Sequence, residues 1–182
     1  MDHHIGFRPL QESDFPLLVQ WLNTPHVKQW WDPDHVWNLD TVTAKYRSYV
    51  NGYKLIDGKQ KPIHAFIIVL DDKPIGYIQY YNAYDFPRTQ GYLQNLPASL
   101  AAFNIYIGEP SVLGKGLGAI IIKQFLTLYI WPHFDVCFVD PETANIGAIK
   151  TFEKVGFNKI KIVGIETWMI CYNNKEKTND DQ

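Results

Sequence analysis

Apolar and polar positions follow two different periods along the chain. Helical spacing begins after a typical helix start at residues 13–16 and returns from residue 39 until an Asn-Gly stop at 51–52. Two apolar segments typical of strands flank the turn sequence at 71–74. Strand and helix patterns continue to alternate after residue 100. The order of the elements predicts a mixed α/β fold.

The predicted elements leave two long segments without regular structure. Strands are predicted at residues 5–10, 64–70, 75–84, 101–107, 135–139, 157–163 and 167–172, and helices at residues 13–23, 39–50, 117–130 and 144–155. The tryptophan-rich segment 25–38 is too irregular to be one element. The segment 85–99 contains two prolines and is long enough for a substrate lid. We expect one domain at 1–172, followed by a polar tail at 173–182.

Composition and charge narrow the class of protein. The 182 residues are 46% hydrophobic and 20% charged, which fits one globular domain. A net charge of −2 without a basic cluster argues against nucleic acid as a partner. Apolar runs such as 65–70 are far shorter than the roughly 20 residues of a membrane span, and no signal-peptide pattern opens the chain. With only two isolated cysteines, Cys137 and Cys171, we expect a cytoplasmic protein without a membrane partner.

Aromatic side chains are unusually numerous. The chain has six Trp, eleven Tyr and ten Phe, and four of the tryptophans lie within residues 21–37. Two interpretations stay open. The rings pack in the core, as most buried aromatic residues do, or some of them form a flat apolar wall for a ring-shaped substrate.

A glycine-rich turn follows the predicted strand 101–107. It reads Leu-Gly-Lys-Gly-Leu-Gly at residues 113–118 and opens an apolar helix. Alternating glycines leave backbone N–H groups uncovered and the helix N-terminus adds partial positive charge, so the turn can bind a pyrophosphate, with Lys115 as an added charge. The spacing matches neither the nucleoside-triphosphate loop nor the dinucleotide-binding pattern. Close packing of the helix on the strand, without any ligand, is the alternative explanation of the glycines.

Two segments together resemble the GNAT acetyltransferases. The glycine turn at 112–119 is similar to the family signature, and residues 145–157 are similar to the segment that supports the pantetheine arm. The resemblance implies an acyl-CoA N-acyltransferase fold, with a mostly antiparallel central sheet that is flanked by helices and splays between its two central strands. It also implies acetyl-CoA as cosubstrate and a small-molecule amine as acceptor. The residues implied in acetyl-CoA binding are Ile105, Ile107, Val112, Leu113, Gly114, Lys115, Gly116, Leu117, Gly118, Asn145, Ala148 and Phe152.

Three further segments narrow the resemblance to one branch of the family. Residues 21–31, 74–79 and 107–118 resemble the aminoglycoside 6'-N-acetyltransferases and, more loosely, the side-chain acyltransferases of hydroxamate siderophores. In the aminoglycoside branch paired tryptophans line the antibiotic pocket, which implies that Trp30 and Trp31 contact the acceptor. The chemistry agrees, because the C–H faces of a sugar ring lie well on indole.

Two positions depart from that branch. Where the branch has an aspartate thought to accept the amine proton, this chain has Asn104, and where it has a tyrosine that is a candidate donor to the thiolate, this chain has Phe152. An amide does not take a proton at neutral pH, so a missing base costs about 10²–10⁴-fold in rate. Asp140 is the expected substitute, as base or as ammonium ligand, although a turn or cap role also explains it. Asp85 and Glu109 are secondary candidates for the acceptor side.

Three functions fit these residues. The first is an N-acetyltransferase acting on aminoglycosides by direct attack in a ternary complex, since neither cysteine lies where a covalent carrier is expected. The second is a siderophore-type acyltransferase acting on hydroxylysine or lysine side chains, because such a neutral nucleophile needs less help from a base. The third is a CoA-binding protein with weakened catalysis.

The histidines leave one choice open. His26 lies in the tryptophan segment and is either an acceptor contact or a structural histidine. The six histidines show no metal-ligand spacing with the cysteines, so we expect no metal. The sequence is compatible with a monomer or a homodimer.

Overall fold

The elements of the structure follow the predicted order. A computed structural model describes residues 3–88 and 91–174. Its strands are β1 (Ile5–Pro9), β2 (Tyr53–Ile56), β3 (Lys59–Pro62), β4 (His64–Leu70), β5 (Lys73–Asn82), β6 (Leu100–Ile107), β7 (Val136–Val139), β8 (Asn158–Val163) and β9 (Glu166–Tyr172). Its α-helices are α1 (Phe15–Leu22), α2 (Pro25–Lys28), α3 (Leu39–Val50), α4 (Leu117–Phe125) and α5 (Ile146–Val155).

Seven strands form the central sheet, in the order β1-β4-β5-β6-β7-β9-β8, and β2 and β3 form a separate hairpin. Neighbours in the central sheet are antiparallel except for β6 and β7, which are parallel. Antiparallel neighbours need only short turns, whereas a parallel pair needs a long crossover. Helix α4 lies on the crossover that joins β6 to β7.

Helices cover both faces of the central sheet because its strands carry apolar residues on both faces. On one face α1 and α3 contribute Trp21 and Tyr46, and the Tyr46 ring lies 5.6 Å from that of Tyr77 in β5. On the other face α4 contributes Phe125 to a cluster that includes Ile78, the next residue of β5. All five side chains have 0% exposure. Packing therefore explains these aromatic residues.

Three local features differ from the sequence predictions. Hairpin β2–β3 was not predicted, because its second strand is Lys-Gln-Lys-Pro and lacks apolar alternation. Helix α2 is a single turn in the tryptophan-rich segment, with Pro25 at its first position, where a missing N–H costs nothing. The predicted helix 117–130 is α-helical only to Phe125 and ends in a π-helical turn, Leu126–Ile130.

The parallel strands β6 and β7 separate soon after they pair. They are paired at Leu100–Val136, Ala101–Cys137 and Ala102–Phe138. Beyond these positions β6 continues to Ile107 with β5 on one side, while β7 ends at Val139. The other backbone edge of residues 103–107 faces the gap between the strands. This gap is the splay that the resemblance implied.

Two predicted segments lie partly outside the described residues. The description of the predicted tail 173–182 ends at residue 174, and residues 89–90 are missing from that of segment 85–99. The described part of segment 85–99 contains neither helix nor strand after the 3₁₀ turn Ala83–Asp85. Across residues 3–88 and 91–174, no helix is long and apolar enough to cross a membrane.

Candidate active site

A cavity of about 950 Å³ opens where β6 and β7 splay apart. We call the part lined by residues 112–114, 116–118 and α5 the turn end. We call the part lined by residues of the segment 26–32 and by Gln79, Arg88, Asn104, Asp140, Glu142 and Glu166 the tryptophan end. The predicted site residues that line the cavity are His26, Trp30, Trp31, Asn104, Ile105, Ile107, Val112, Leu113, Gly114, Gly116, Leu117, Gly118, Asp140, Asn145, Ala148 and Phe152. Folding thus brings both motifs and the tryptophan segment to one place.

Two predicted site residues are not in the cavity wall. Lys115 is exposed on the glycine turn. The Asp85 carboxylate accepts a hydrogen bond from Lys61 Nζ at 3.3 Å. Because this carboxylate already has a cationic partner away from the cavity, we do not retain Asp85 as an acceptor contact.

The glycine turn has an open backbone. Gly114 and Gly116 adopt φ values of +71° and +73°, and a Cβ at either position would meet no atom within 4 Å. Such left-handed backbone is costly for other residues, so these glycines are needed for conformation. Among the backbone hydrogen bonds of the described residues outside helices and strands, none is donated by residues 114–116. These N–H groups lie beside the N-terminus of α4 at Leu117, and together they suit an anion such as a diphosphate.

Two other glycines permit close packing. A Cβ at Gly118 would lie 3.3 Å from Cγ2 of Thr151 in α5, and a Cβ at Gly108 would collide with the ring of Trp21. The Trp21 indole N–H donates to the Glu109 carboxylate at 2.8 Å. Gly118 therefore lets α4 approach α5 rather than the strand, and Glu109 is a structural contact of α1.

Hydrogen bonds of two polar side chains fix elements that form the cavity wall. His26 Nε2 donates to the carbonyl oxygen of Ile107 at 2.8 Å, which ties α2 to the end of β6. Asn145 Oδ1 accepts from the backbone N–H of Ala148 at 3.1 Å and caps α5. The structural interpretation of His26 is therefore supported. Since Asn145 is the cap of α5, the cap role does not apply to Asp140, and its turn role stays open.

A chain of hydrogen bonds orients Asn104 at the tryptophan end. The Tyr77 hydroxyl donates to Gln79 Oε1 at 2.6 Å, and Gln79 Nε2 donates to Asn104 Oδ1 at 3.0 Å. Tyr77 and Gln79 are both buried. Their bonds leave one lone pair on Asn104 Oδ1, and its Nδ2 group, for other partners.

Asp140 has a cationic partner that the sequence did not predict. Arg88 Nη1 donates to Asp140 Oδ2, and the two side chains are 13% and 14% exposed. The Arg88 guanidinium also lies 4.6 Å from the centre of the Phe138 ring. Burial raises the pKa of Asp140, and the positive charge of Arg88 opposes that rise. The cavity thus contains a desolvated ion pair.

Two further carboxylates lie at the tryptophan end. Glu142 and Glu166 face each other in an isolated antiparallel bridge, and both line the cavity. Burial raises the pKa of Glu166, although the Trp168 indole N–H donates to it at 3.1 Å. No salt bridge between described residues includes either glutamate. They add two negative charges to this end, where Asp32 is paired with Lys45 and Asp140 with Arg88, while Lys150 and Lys154 line the cavity from α5.

The two neighbouring tryptophans have different surroundings. The Trp31 ring packs edge-on against Tyr106 at 4.9 Å and against Tyr77 at 6.0 Å. Trp30 lines the cavity and is 36% exposed. Trp31 is therefore packed against the core although it also lines the cavity, and the interpretation of Trp30 as a wall for a ring-shaped substrate stays a prediction.

Comparison with known proteins decides the family. A family model of the GNAT acetyltransferase domain matches residues 11–165, well over half of the chain. This chain is a GNAT acetyltransferase. Its mixed, mostly antiparallel sheet with flanking helices confirms the predicted fold class, and membership of the family confirms the predicted enzyme class.

Several relatives of this GNAT acetyltransferase are named as aminoglycoside acetyltransferases. Aminoglycoside N(6')-acetyltransferase type 1 from Klebsiella pneumoniae is 27% identical over 157 residues, which cover 85% of this chain and 74% of that protein. The enzyme of the same name from Serratia marcescens matches equally. The structure of AAC(6')-Ib with ribostamycin and coenzyme A is 26% identical, has a TM-score of 0.80 and covers 98% of this chain and 99% of that one. A structure of the same enzyme with parmomycin and acetyl-CoA has a TM-score of 0.79.

In this GNAT acetyltransferase, Phe152 forms part of an apolar wall. It is 8% exposed, and its ring lies 5.5 Å from that of Phe157 and 5.9 Å from that of Phe103. Its side chain has no proton to donate. The predicted catalytic position 152 therefore offers packing but no acid, and a leaving thiolate would need its proton from elsewhere.

Sequence reasoning missed Gln79, Arg88, Glu142 and Glu166 in the site. Arg88 is the single Lys or Arg within segment 85–99, which was a usable signal once that segment was suspected of covering the site. Gln79 is the last residue of segment 74–79, whose only functional signal in the sequence is its resemblance to the aminoglycoside 6'-N-acetyltransferases. Within the described residues no group of three His, Cys, Asp or Glu side chains could hold a metal ion.

Proposed function

We propose that this GNAT acetyltransferase moves the acetyl group of acetyl-CoA to a primary amine of an aminoglycoside, by direct attack in a ternary complex. The observation that carries the proposal is the splay, where the free backbone edge of residues 103–107 meets the open glycine turn. The named relatives support this choice of donor and acceptor.

The turn end fits the donor. The free edge of β6 offers backbone groups to the amides of a pantetheine arm, much as a sheet edge accepts an added strand. Gly114 and Gly116 leave room for a diphosphate next to the N-terminus of α4. Phe152 and Ile105 supply apolar surface between these two places. When bound, acetyl-CoA supplies the activated acyl group.

The tryptophan end fits a polycationic sugar. The carboxylates Glu142 and Glu166 attract ammonium groups, and Trp30 offers a flat apolar face to a sugar ring. Asp140 keeps one carboxylate oxygen, Oδ1, for an ammonium or for the water that receives its proton, because Arg88 occupies Oδ2. Charge and shape at this end therefore agree with an aminoglycoside.

The residues divide the work of the transfer. The amine nitrogen forms a bond to the acetyl carbon, the carbon–sulfur bond breaks, and CoA leaves as a thiolate that takes its proton from solvent, since Phe152 has none to give. Asn104 Oδ1 can accept one N–H of the neutral amine and orient it, but cannot take the proton. We assign that proton to Asp140, directly or through a water molecule.

A second candidate function is favoured by one observation. Asn104 replaces the carboxylate expected at its position, and its amide is fixed by Gln79 rather than poised as a base. An acceptor that is already neutral, such as the hydroxylamine of hydroxylysine, needs no base there. A siderophore-type N-acyltransferase therefore stays the alternative.

Release of free thiol from acetyl-CoA, measured with a panel of amines, tests these functions. We expect turnover with kanamycin-like aminoglycosides well above the rate without acceptor. Turnover of hydroxylysine without turnover of aminoglycosides would replace the first function by the second. Binding of acetyl-CoA without turnover of any amine would contradict both and leave a CoA-binding protein.

A further inference from the structure

The ion pair between Arg88 and Asp140 joins two segments that are far apart in the chain. Arg88 follows β5 and Asp140 follows β7, and both side chains line the cavity. Phe138, two residues before Asp140, supports the guanidinium with its ring at 4.6 Å. Arg88 thus contacts the strand that carries Asp140 as well as the carboxylate itself.

Asp140 is the one hydrogen-bond partner of Arg88 among the described residues. Its Nε and Nη2 atoms are buried and have no partner among the described residues. Buried donors without acceptors are costly, so the single bond from Nη1 to Asp140 is the main polar contact of this guanidinium. Losing one partner of such a buried pair leaves the other charge uncompensated.

Two other carboxylates near Asp140 favour loss of its charge, whereas a hydrogen bond from its own backbone N–H favours the ionised form. Glu166 in β9 and Glu142 in the turn after β7 bring negative charge to the same region. Tyr81 in β5 faces both Asp140 and Arg88, and burial raises its pKa to about 12, so it is neutral there. Arg88 is therefore the cation that offsets burial and the two glutamates.

We propose that Arg88 is a positioning residue that keeps Asp140 ionised inside the cavity and fixes it by one oxygen, so that the second oxygen receives the acceptor ammonium. The inference rests on the proposed function, because the charge of Asp140 matters to the reaction only if an amine binds there. Arg88 itself touches neither acceptor nor donor in this role. It acts through Asp140.

The test is the pH dependence of acceptor use in an Arg88→Met variant. Asp140 must be ionised to hold an ammonium, so activity falls as pH drops through its pKa. A positive charge at this distance lowers a carboxyl pKa by about 1–3 units. We expect the low-pH limb of kcat/KM for the acceptor to move upward by about 1–3 pH units, because both the binding of the ammonium and the transfer of its proton need the ionised carboxylate. The Kd of acetyl-CoA should not change.

Two further variants serve as controls. Arg88→Lys keeps the charge and should return the limb most of the way toward that of the unmodified enzyme. Arg47→Met removes an exposed arginine of α3 that pairs with Glu12 and does not line the cavity. This variant should leave the pH profile unchanged. A folded Arg88→Met enzyme whose low-pH limb stays in place would overturn the proposal. If Arg88→Met does not fold, Arg88→Gln, which also removes the charge but keeps a hydrogen-bond donor, takes its place, and an unchanged low-pH limb in that variant would overturn the proposal equally.

A direct titration separates this proposal from the proposed function. The carboxyl carbon of Asp140 is followed by ¹³C NMR against pH and assigned by its loss in Asp140→Asn. We expect its titration to move to higher pH in Arg88→Met and less so in Arg88→Lys. That result would uphold the role of Arg88 even if the amine panel gave no turnover, whereas turnover with no shift in the titration would overturn the role of Arg88 alone.

Discussion

The two ends of the cavity are built in different ways. The turn end depends on backbone conformation at consecutive residues, with positive φ at Gly114 and Gly116 and the start of α4 directly after them. The tryptophan end depends on side chains from separate parts of the chain, such as Arg88 and Asp140. A substitution in the turn should therefore affect the donor alone, and one at the tryptophan end should affect the acceptor alone.

Gly116→Glu should have the largest effect of the variants, which is to weaken binding of CoA at the turn end. The variant forces a side chain onto a residue with φ of +73° and brings a carboxylate to the place assigned to the diphosphate. We expect the Kd of CoA to rise by about 100-fold or more, which corresponds to about 2.7 kcal/mol. Isothermal titration calorimetry measures it directly.

Gly58→Glu is the matched control for that variant. Gly58 has nearly the same φ, +74°, and equally open surroundings, but it lies in the β2–β3 hairpin. It should lose a similar amount of stability in thermal unfolding while keeping the Kd of CoA. Equal weakening of CoA by both variants, or by neither, would show that residue 116 is not at the diphosphate.

Asn104→Asp should increase the rate of acetyl transfer at the tryptophan end. The new carboxylate keeps an oxygen for Gln79 and gains the ability to take the amine proton. We expect kcat for an aminoglycoside to rise by about tenfold, less than the roughly 10²–10⁴-fold that a positioned base contributes, because Asp140 already takes the amine proton. Asn158→Asp, on the exposed strand β8, should leave kcat unchanged. An unchanged or lower kcat in Asn104→Asp would mean that the amine does not approach residue 104.

The turn end was open to prediction from the sequence because its chemistry is local. Alternating glycines before an apolar helix predict both the backbone conformation of the turn and its preference for an anion. The Arg88–Asp140 pair was not predictable, since its members are 52 positions apart and Arg88 lies in a segment without a motif. The same holds for His26, whose role depends on a carbonyl 81 positions away, and for Asp85, whose partner Lys61 lies in a hairpin that the pattern did not predict.

The paired tryptophans should respond differently to truncation. Trp30→Ala removes an exposed face of the cavity, and we expect the acceptor KM to rise about fivefold with little change in stability, about 1 kcal/mol of ring contact. Trp31→Ala removes a ring packed on Tyr77 and Tyr106 and should lower the free energy of unfolding by about 3 kcal/mol. Steady-state kinetics and chemical denaturation measure the two effects. Equal effects of both variants on KM would contradict the division between them.

Calorimetric titration with CoA and with pantetheine tests the central claim most directly, because pantetheine carries the arm without the diphosphate. If the N–H groups of residues 114–118 bind that diphosphate, CoA should bind at least about 100-fold more tightly than pantetheine, since two charge-assisted hydrogen bonds contribute about 3 kcal/mol. The difference should shrink in Gly116→Glu. Equal affinities for the two molecules, or no heat on addition of CoA, would contradict the account.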